Sequence, residues 1–336
     1  MHPPIASVLV VNAGSTSLKL TRVDLQEHSL PVGSLEEAVG RVDAVAHRIV
    51  HGGPRFHAPV LVDDAVAAEL ATLTDLAPLH NAKALEALAR ARELLPETPQ
   101  VAVFDTAFHA TLPPEAATYA LPARFREELG IRRYGFHGLS VEWAAGRVPA
   151  RRLVVCHLGG GCSITAVLDG RSIDTTMGFT PLEGVPMASR AGTVDPGALL
   201  YLLREDRVTV GELDRVLEHE SGLFGLGGSD DPRELAGTLA LDVYTYRIAV
   251  AVGAMATALG GIDALVFTAG VGEHSADVRA RVCERLGFLG VAIDVDANRE
   301  ATADAEIAAA GSPVRVVVLH AREDVVAARA VRSLLA

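Results

Sequence analysis

The chain has 336 residues, 42 acidic and 30 basic, for a formal net charge of −12 and an isoelectric point near 5.5. That balance excludes nucleic acid and anionic membranes as principal partners, because both select a basic face, and a hydrophobic fraction of 49% excludes wholesale disorder. Only Cys156, Cys162 and Cys283 are present, with neither disulfide nor metal-type spacing, which fits a reducing cytoplasm.

At roughly 150 residues per domain, the length predicts two domains. The start, Met1–Ser7, lacks the basic segment of a signal peptide. The longest apolar stretch, Ile248–Ile262, is shorter than the roughly 20 residues that span a bilayer.

In chain order, Ser7–Val11 reads as a strand running into the polar turn Asn12-Ala-Gly-Ser-Thr-Ser-Leu-Lys. There Gly14 permits close backbone approach, Ser15, Thr16 and Ser17 offer hydroxyls, and Lys19 a point charge. The turn suits phosphate without being a Walker loop; a solvated lysine beside a polar turn would read the same. Next, Arg48 leads a Gly-Gly turn, an arrangement that can hold a carboxylate bidentately. Asn81 reads as the N-cap of a helix carrying Leu85, Leu88 and Leu95 on one face. Val101–Phe104 is a strand, and Asp105 at its C-terminal end is placed either for chemistry or as a turn aspartate.

Farther on, His137 and Arg190 each sit in a Gly/Pro-rich loop. Leu153–Cys156 and Ile164–Val167 read as strands flanking Gly159-Gly160-Gly161. Glu234–Leu259 reads as one long helix stopped by Gly260-Gly261, followed by a strand at Ala264–Thr268. Ser275 caps a helix with Val278, Val282 and Leu286 in register, ended at Gly287, and Val314–Leu319 is a last strand. Strands alternating with helices predict an α/β architecture. The strand–turn–strand outline of the first residues returns from Leu153 onward, the pattern of a duplicated fold with a cleft between halves; two ordinary hairpins would leave the same trace.

Taken together, these segments resemble the acetate kinase family, which includes propionate and butyrate kinases, within the actin-like ATPase superfamily. The resemblance rests on NAGSTSLK at 12–19, HRIVHGG at 47–53, APLHN at 77–81, FDTAFH at 104–109, RRYGFHG at 132–138, CHLGGG at 156–161, TPLEG at 180–184, FTAGVGEHS at 267–275 and REDVVAAR at 322–329. It implies two actin-like (ribonuclease H-like) domains with an interdomain cleft, one formed by 1–145 with 321–336 and the other by 146–320, and a cytoplasmic homodimer. It also implies transfer of the ATP γ-phosphoryl to acetate with Mg²⁺, or Mn²⁺ in its place, giving acetyl phosphate and ADP.

Carried over by position, the resemblance makes Asp105, Arg190 and His137 catalytic and gives Asn12 and Glu323 to the metal. Arg48 would take the carboxylate, with Val50, Leu79, Phe136 and Pro181 around its acyl tail. Lys19, His157, Leu158, Gly159, Gly160, Gly161, Asp231, Pro232, Arg233, Gly270, Val271, Gly272, Glu273 and His274 would attend the nucleotide. Glu323 and Asp324 read equally well, on their own, as charges complementing a helix dipole.

The chain departs from the family at three nucleotide positions. Gly160 replaces the asparagine of a Gly-Asn-Gly turn, His274 replaces another asparagine, and Pro232 interrupts an Asp-x-Arg element. The alternatives are a propionate or butyrate kinase, or an actin-like ATP-binding protein without kinase activity. The chain is also shorter than typical members, chiefly between Lys19 and Arg48.

Overall fold

The computed structural model describes all residues except 1–4, 15–17, 75–77, 206 and 303, and for 78–80 the backbone alone. The chain divides into two units. The first comprises Met1–Ala110, Phe136–Trp143 and Arg322–Ala336; the second comprises Thr111–Gly135 and Ala144–Ala321.

The first unit is built on a six-stranded sheet of β1 (Val8–Ala13), β2 (Leu18–Val23), β3 (Ser29–Pro31), β4 (Ala44–Ile49), β5 (Val60–Leu61) and β6 (Gln100–Phe104). Their spatial order is β3-β2-β1-β4-β6-β5. β1, β4 and β6 run parallel, and β2, β3 and β5 are antiparallel to their neighbours. All five residues of β6, and all but Arg48 in β4, are buried. A strand buried on consecutive residues has both faces covered. The cover comes from helices Pro78–Leu94 and Glu323–Leu335, each packed on β1 and β4.

The second unit repeats this plan. Its strands are β7 (Arg152–Leu158), β8 (Cys162–Leu168), β9 (Arg171–Thr175), β10 (Ala264–Thr268), β11 (Ala305–Glu306) and β12 (Arg315–Val318), in the order β11-β12-β10-β7-β8-β9. Read from the other edge, β9-β8-β7-β10-β12-β11 matches the first sheet strand for strand, with the same parallel and antiparallel pairings. The hairpin similarity in the sequence therefore marks a duplicated topology.

Three local expectations differ from the structure. The long helix runs over Leu239–Leu259, because Gly237 adopts φ +74° and Thr238 becomes the N-cap; Pro232–Leu235 forms a separate 3₁₀ turn. That helix is long and apolar enough to cross a membrane by composition, but half of it is buried inside the second unit against β7, β8 and β9. Residues 111–135, which the sequence reading grouped with the first domain, bond to the second unit. Thr111 Oγ1 donates to Ser172 O (2.8 Å), and Arg133 Nη1 to Thr176 O (3.0 Å). Asn81 lies inside the helix that begins at Pro78, and its amide caps nothing: Oδ1 accepts from His51 N, and Nδ2 donates to His51 O and Leu73 O.

Candidate active site

In the first unit the parallel strands bring their C-terminal ends to one edge of the sheet, the place where open α/β sheets bind ligands. Asn12 near the end of β1, Arg48 near the end of β4 and Asp105 just past β6 meet there. Arg48 is the hub. Its Nε donates to Asp105 Oδ1 (2.8 Å) and its Nη2 to Asp105 Oδ2 (2.6 Å), a fork-to-fork pair. Its Nη1 donates to Asn12 Oδ1 (3.1 Å) and pairs with Glu323 Oε2 (3.3 Å).

Burial alone would lower the Arg48 pKa, but Asp105 and Glu323 more than offset it and hold the guanidinium above its usual range. Glu323 is pushed up by burial and by the neighbouring Asp105 and Asp324 carboxylates, against the pull of Arg48 and Lys19. Lys19 is exposed on β2 and faces Asn12 in the strand register.

Asp105 also organises the backbone. Its carbonyl accepts from Gly138 N (2.8 Å), and a Cβ on Gly138 would collide with that carbonyl and with Phe108. The preceding residue, His137, is held at φ +59°, a left-handed conformation that costs a non-glycine residue energy and clusters at functional sites. Phe136 is fully buried, its carbonyl accepting from His109 Nε2 (2.9 Å) and its ring in edge contact with His51 at 5.4 Å. Val50, the residue after the Arg48 strand, is buried. Ser15, Thr16 and Ser17 and the Leu79 side chain lie outside the described residues.

The second unit holds a cavity of about 350 Å³. Gly159, Gly160, Asp231, Pro232, Arg233, Gly270, Val271 and His274 line it, with Ala188 and Asp230, which sequence reasoning did not single out, and Ser275, read from sequence as a helix cap. A Cβ on Gly160 or Gly270 would meet nothing within 4 Å, so both glycines leave open space. His157, Leu158, Gly161, Gly272 and Glu273 are not among the lining residues. Leu158 is core, and the buried Glu273 spends its carboxylate on His320 Nδ1 (2.7 Å) and Ala321 N (3.0 Å).

The turn after β10 is fastened from behind by Arg279. This fully buried side chain donates to Gly272 O (2.9 Å), Glu273 O (2.8 Å) and Asn298 Oδ1 (2.7 Å). No motif announces that arginine, because its partners are backbone carbonyls and a residue 19 positions away. In the same unit, Pro181 is buried and its carbonyl accepts from Arg190 Nη1 at 3.4 Å.

The first unit thus carries a clamped arginine at its sheet edge, and the second a glycine-lined cavity. A sequence profile, that of the acetokinase family, matches residues 30–329. The chain belongs to the acetokinase family. Its acetokinase relatives include the acetate kinase of Nostoc punctiforme, 48% identical over 306 residues covering 86% of this chain and 75% of the relative. The acetate kinase of Leifsonia xyli is 41% identical, with 97% and 98% covered. Among solved structures of the family, a propionate kinase from Francisella tularensis superposes with a TM-score of 0.90 at 32% identity, covering 97% of this chain and 99% of its own. The Porphyromonas gingivalis acetate kinase gives 0.88 at 32% identity, with 98% and 100% covered.

Proposed function

We propose that this acetokinase-family chain is an acetate kinase, transferring the γ-phosphoryl of ATP to acetate directly and reversibly, without a phosphoenzyme. The observation that carries the reading is Arg48, a guanidinium locked bidentately by buried Asp105 at the C-terminal edge of the sheet. A carboxylate acceptor, with a pKa of about 4 to 5, is already ionised at neutral pH, so the chemistry needs no general base. Its obstacle is one anion approaching another.

Asp105 accordingly acts as the brace of Arg48, since both its oxygens accept from that guanidinium. Arg48 holds the acetate carboxylate, with Val50 and Phe136 beside its methyl group. One carboxylate oxygen forms the new O–P bond as the bond from γ-phosphorus to the bridging oxygen of ADP breaks. Arg190 and His137 stabilise the charge spread over the equatorial oxygens, as preorganised donors do best in a water-poor site. The adenosine moiety occupies the cavity lined by Gly270, Val271 and Pro232, with its phosphates toward Gly159 and Gly160.

Among the described residues no cluster of three histidine, cysteine, aspartate or glutamate side chains marks a preformed metal cage. Asn12 and Glu323, whose oxygens both meet Arg48 Nη1, are the hard donors that would hold Mg²⁺ entering with nucleotide phosphates. Bound there, Mg²⁺ would neutralise phosphate charge.

A homodimer through the helix Leu239–Leu259 accords with Leu239, Tyr246 and Val250, apolar residues exposed on one face of it. A cytoplasmic location accords with three buried, reduced cysteines.

The test is acetyl hydroxamate formation from MgATP, acetate and hydroxylamine, with Arg190→Ala and Asp105→Ala as controls. Acetate-dependent product lost in both variants is the expected result. Equal product with and without acetate, or equal activity in the variants, would refute the assignment. Replacing acetate by propionate and butyrate in the same assay measures chain-length preference. Each methylene contributes only about 0.8 kcal/mol of burial, so propionate is expected to work within roughly 10-fold of acetate.

A further inference from the structure

Arg190 lies on a loop, and a flexible arginine on a loop is a poor instrument unless something fixes its plane. The helix Val210–His219 does this work from outside every motif of the sequence. Its first turn is closed by a capping box, with Thr209 Oγ1 accepting from Glu212 N (3.1 Å) and Glu212 Oε2 accepting from Thr209 N (3.3 Å). Its last turn is bonded to the residues on both sides of Arg190. Ala191 N donates to Leu217 O (3.0 Å), Ser189 Oγ donates to Glu218 O (3.0 Å), and Ser221 N returns to Ser189 O (2.9 Å). From the same turn the Glu218 carboxylate meets Arg190 Nε at 3.0 Å, both side chains being only 16% exposed. On the other side Pro181 O receives Nη1.

We infer that Glu218 is a positioning residue for Arg190: it holds the Nε edge of the guanidinium so that the fork is set before substrate arrives. This rests on the role given to Arg190 above. The backbone splint places the loop, and the carboxylate places the side chain, so removing the carboxylate alone leaves the loop and the nucleotide cavity in place. Misplacing a catalytic group by an ångström costs on the order of 100-fold, which sets the scale.

The experiment is a double-mutant cycle in the hydroxamate assay. Glu218→Ala is expected to lower kcat about 10–100-fold with the KM for ATP unchanged. Glu218→Gln, which keeps the side chain's shape and an oxygen beside Nε but not the charge, is expected to lose less than Glu218→Ala. In an Arg190→Ala background, Glu218→Ala is expected to cost less than about 3-fold more, because its partner is already gone. If Glu218→Ala folds poorly, Glu218→Asp keeps the charge but draws the carboxylate back by one methylene, and is expected to show the same loss of kcat.

Losses that multiply in the double variant, or a Glu218→Ala enzyme with normal kcat and normal melting, would overturn the inference while leaving the kinase reading intact. Full activity in Arg190→Ala would instead overturn the role of Arg190, and the inference with it.

Discussion

Replacing Asp105 by alanine separates what the Arg48 clamp does for the fold from what it does for chemistry. Asp105 is 1% exposed and satisfies two guanidinium donors at 2.8 and 2.6 Å. Breaking a buried pair by removing one partner costs about 3–5 kcal/mol, since the remaining charge is left without a counter-ion. Arg48 would keep Asn12 at 3.1 Å and Glu323 at 3.3 Å, which places the loss at the low end, about 3 kcal/mol. At about 2–4 °C per kcal/mol for a unit of this size, the melting temperature should fall by about 6–12 °C. The protein supplies its own probe: the single tryptophan, Trp143, is buried in the first unit under Arg322 and Arg329. Its fluorescence therefore reports the packing of that unit around Arg322 and Arg329. The double variant Asp105→Ala/Arg48→Met removes the stranded cation but also the partner of Glu323, so it should recover part of the melting temperature while making no acetyl hydroxamate. A single variant that melts like the parent, or a double variant as unstable as the single, would refute the reasoning.

Other substitutions test the remaining features. Gly160→Asn should fold normally, because its Cβ meets nothing within 4 Å, and should lower the KM for ATP by up to about 10-fold through one added hydrogen bond to phosphate; a raised KM would show that the open space belongs to the ligand. Gly178→Ala should destabilise the second unit, because the new methyl would overlap the Glu183 carboxylate and the Tyr119 hydroxyl, which bond to each other there; unchanged melting in calorimetry would count against that packing.

Stability should also depend on pH. Burial depresses His47 and His109 to about 4 from an ordinary value near 6.5, so the unfolded chain binds more protons between those limits and stability is lost as pH falls through that window. Glu323, shifted upward, works in the opposite direction. The urea midpoint of Trp143 fluorescence should fall between pH 7.5 and pH 5, and a flat midpoint would contradict the buried, neutral histidines.

Apolar periodicity carried most of the fold. The strands at Ser7–Val11, Val101–Phe104, Leu153–Cys156 and Ala264–Thr268 were readable because consecutive apolar residues bounded by turns leave few alternatives. β4 was harder to read as a strand, because His47 and Arg48 interrupt its apolar run. Their cost is met by partners far along the chain, Gln100 for His47 and Asp105 for Arg48. The same limit hid Glu218 and Arg279, whose roles depend on neighbours 28 and 19 positions away. Asn81 misled for the opposite reason: it is a good cap by type, but a buried loop carbonyl and amide at His51 claimed its side chain. In the second unit, glycines that line the cavity were readable as open backbone, whereas the Glu273 carboxylate is held by His320 and Ala321.

The first unit joins segments far apart in sequence, and this imposes an order on its making. Helix Glu323–Leu335 buries Val325, Val326, Ala327, Ala328 and Val331 and packs on β1, β2, β4 and β6. Until it leaves the ribosome, β1 and β4 have one bare apolar face and Arg48 lacks Glu323. The second unit, drawn almost wholly from residues 111–321, is synthesised before that helix exists. The sheet that carries Arg48 is thus begun before the second unit and covered after it, and its apolar face stays bare while residues 105–322 are made.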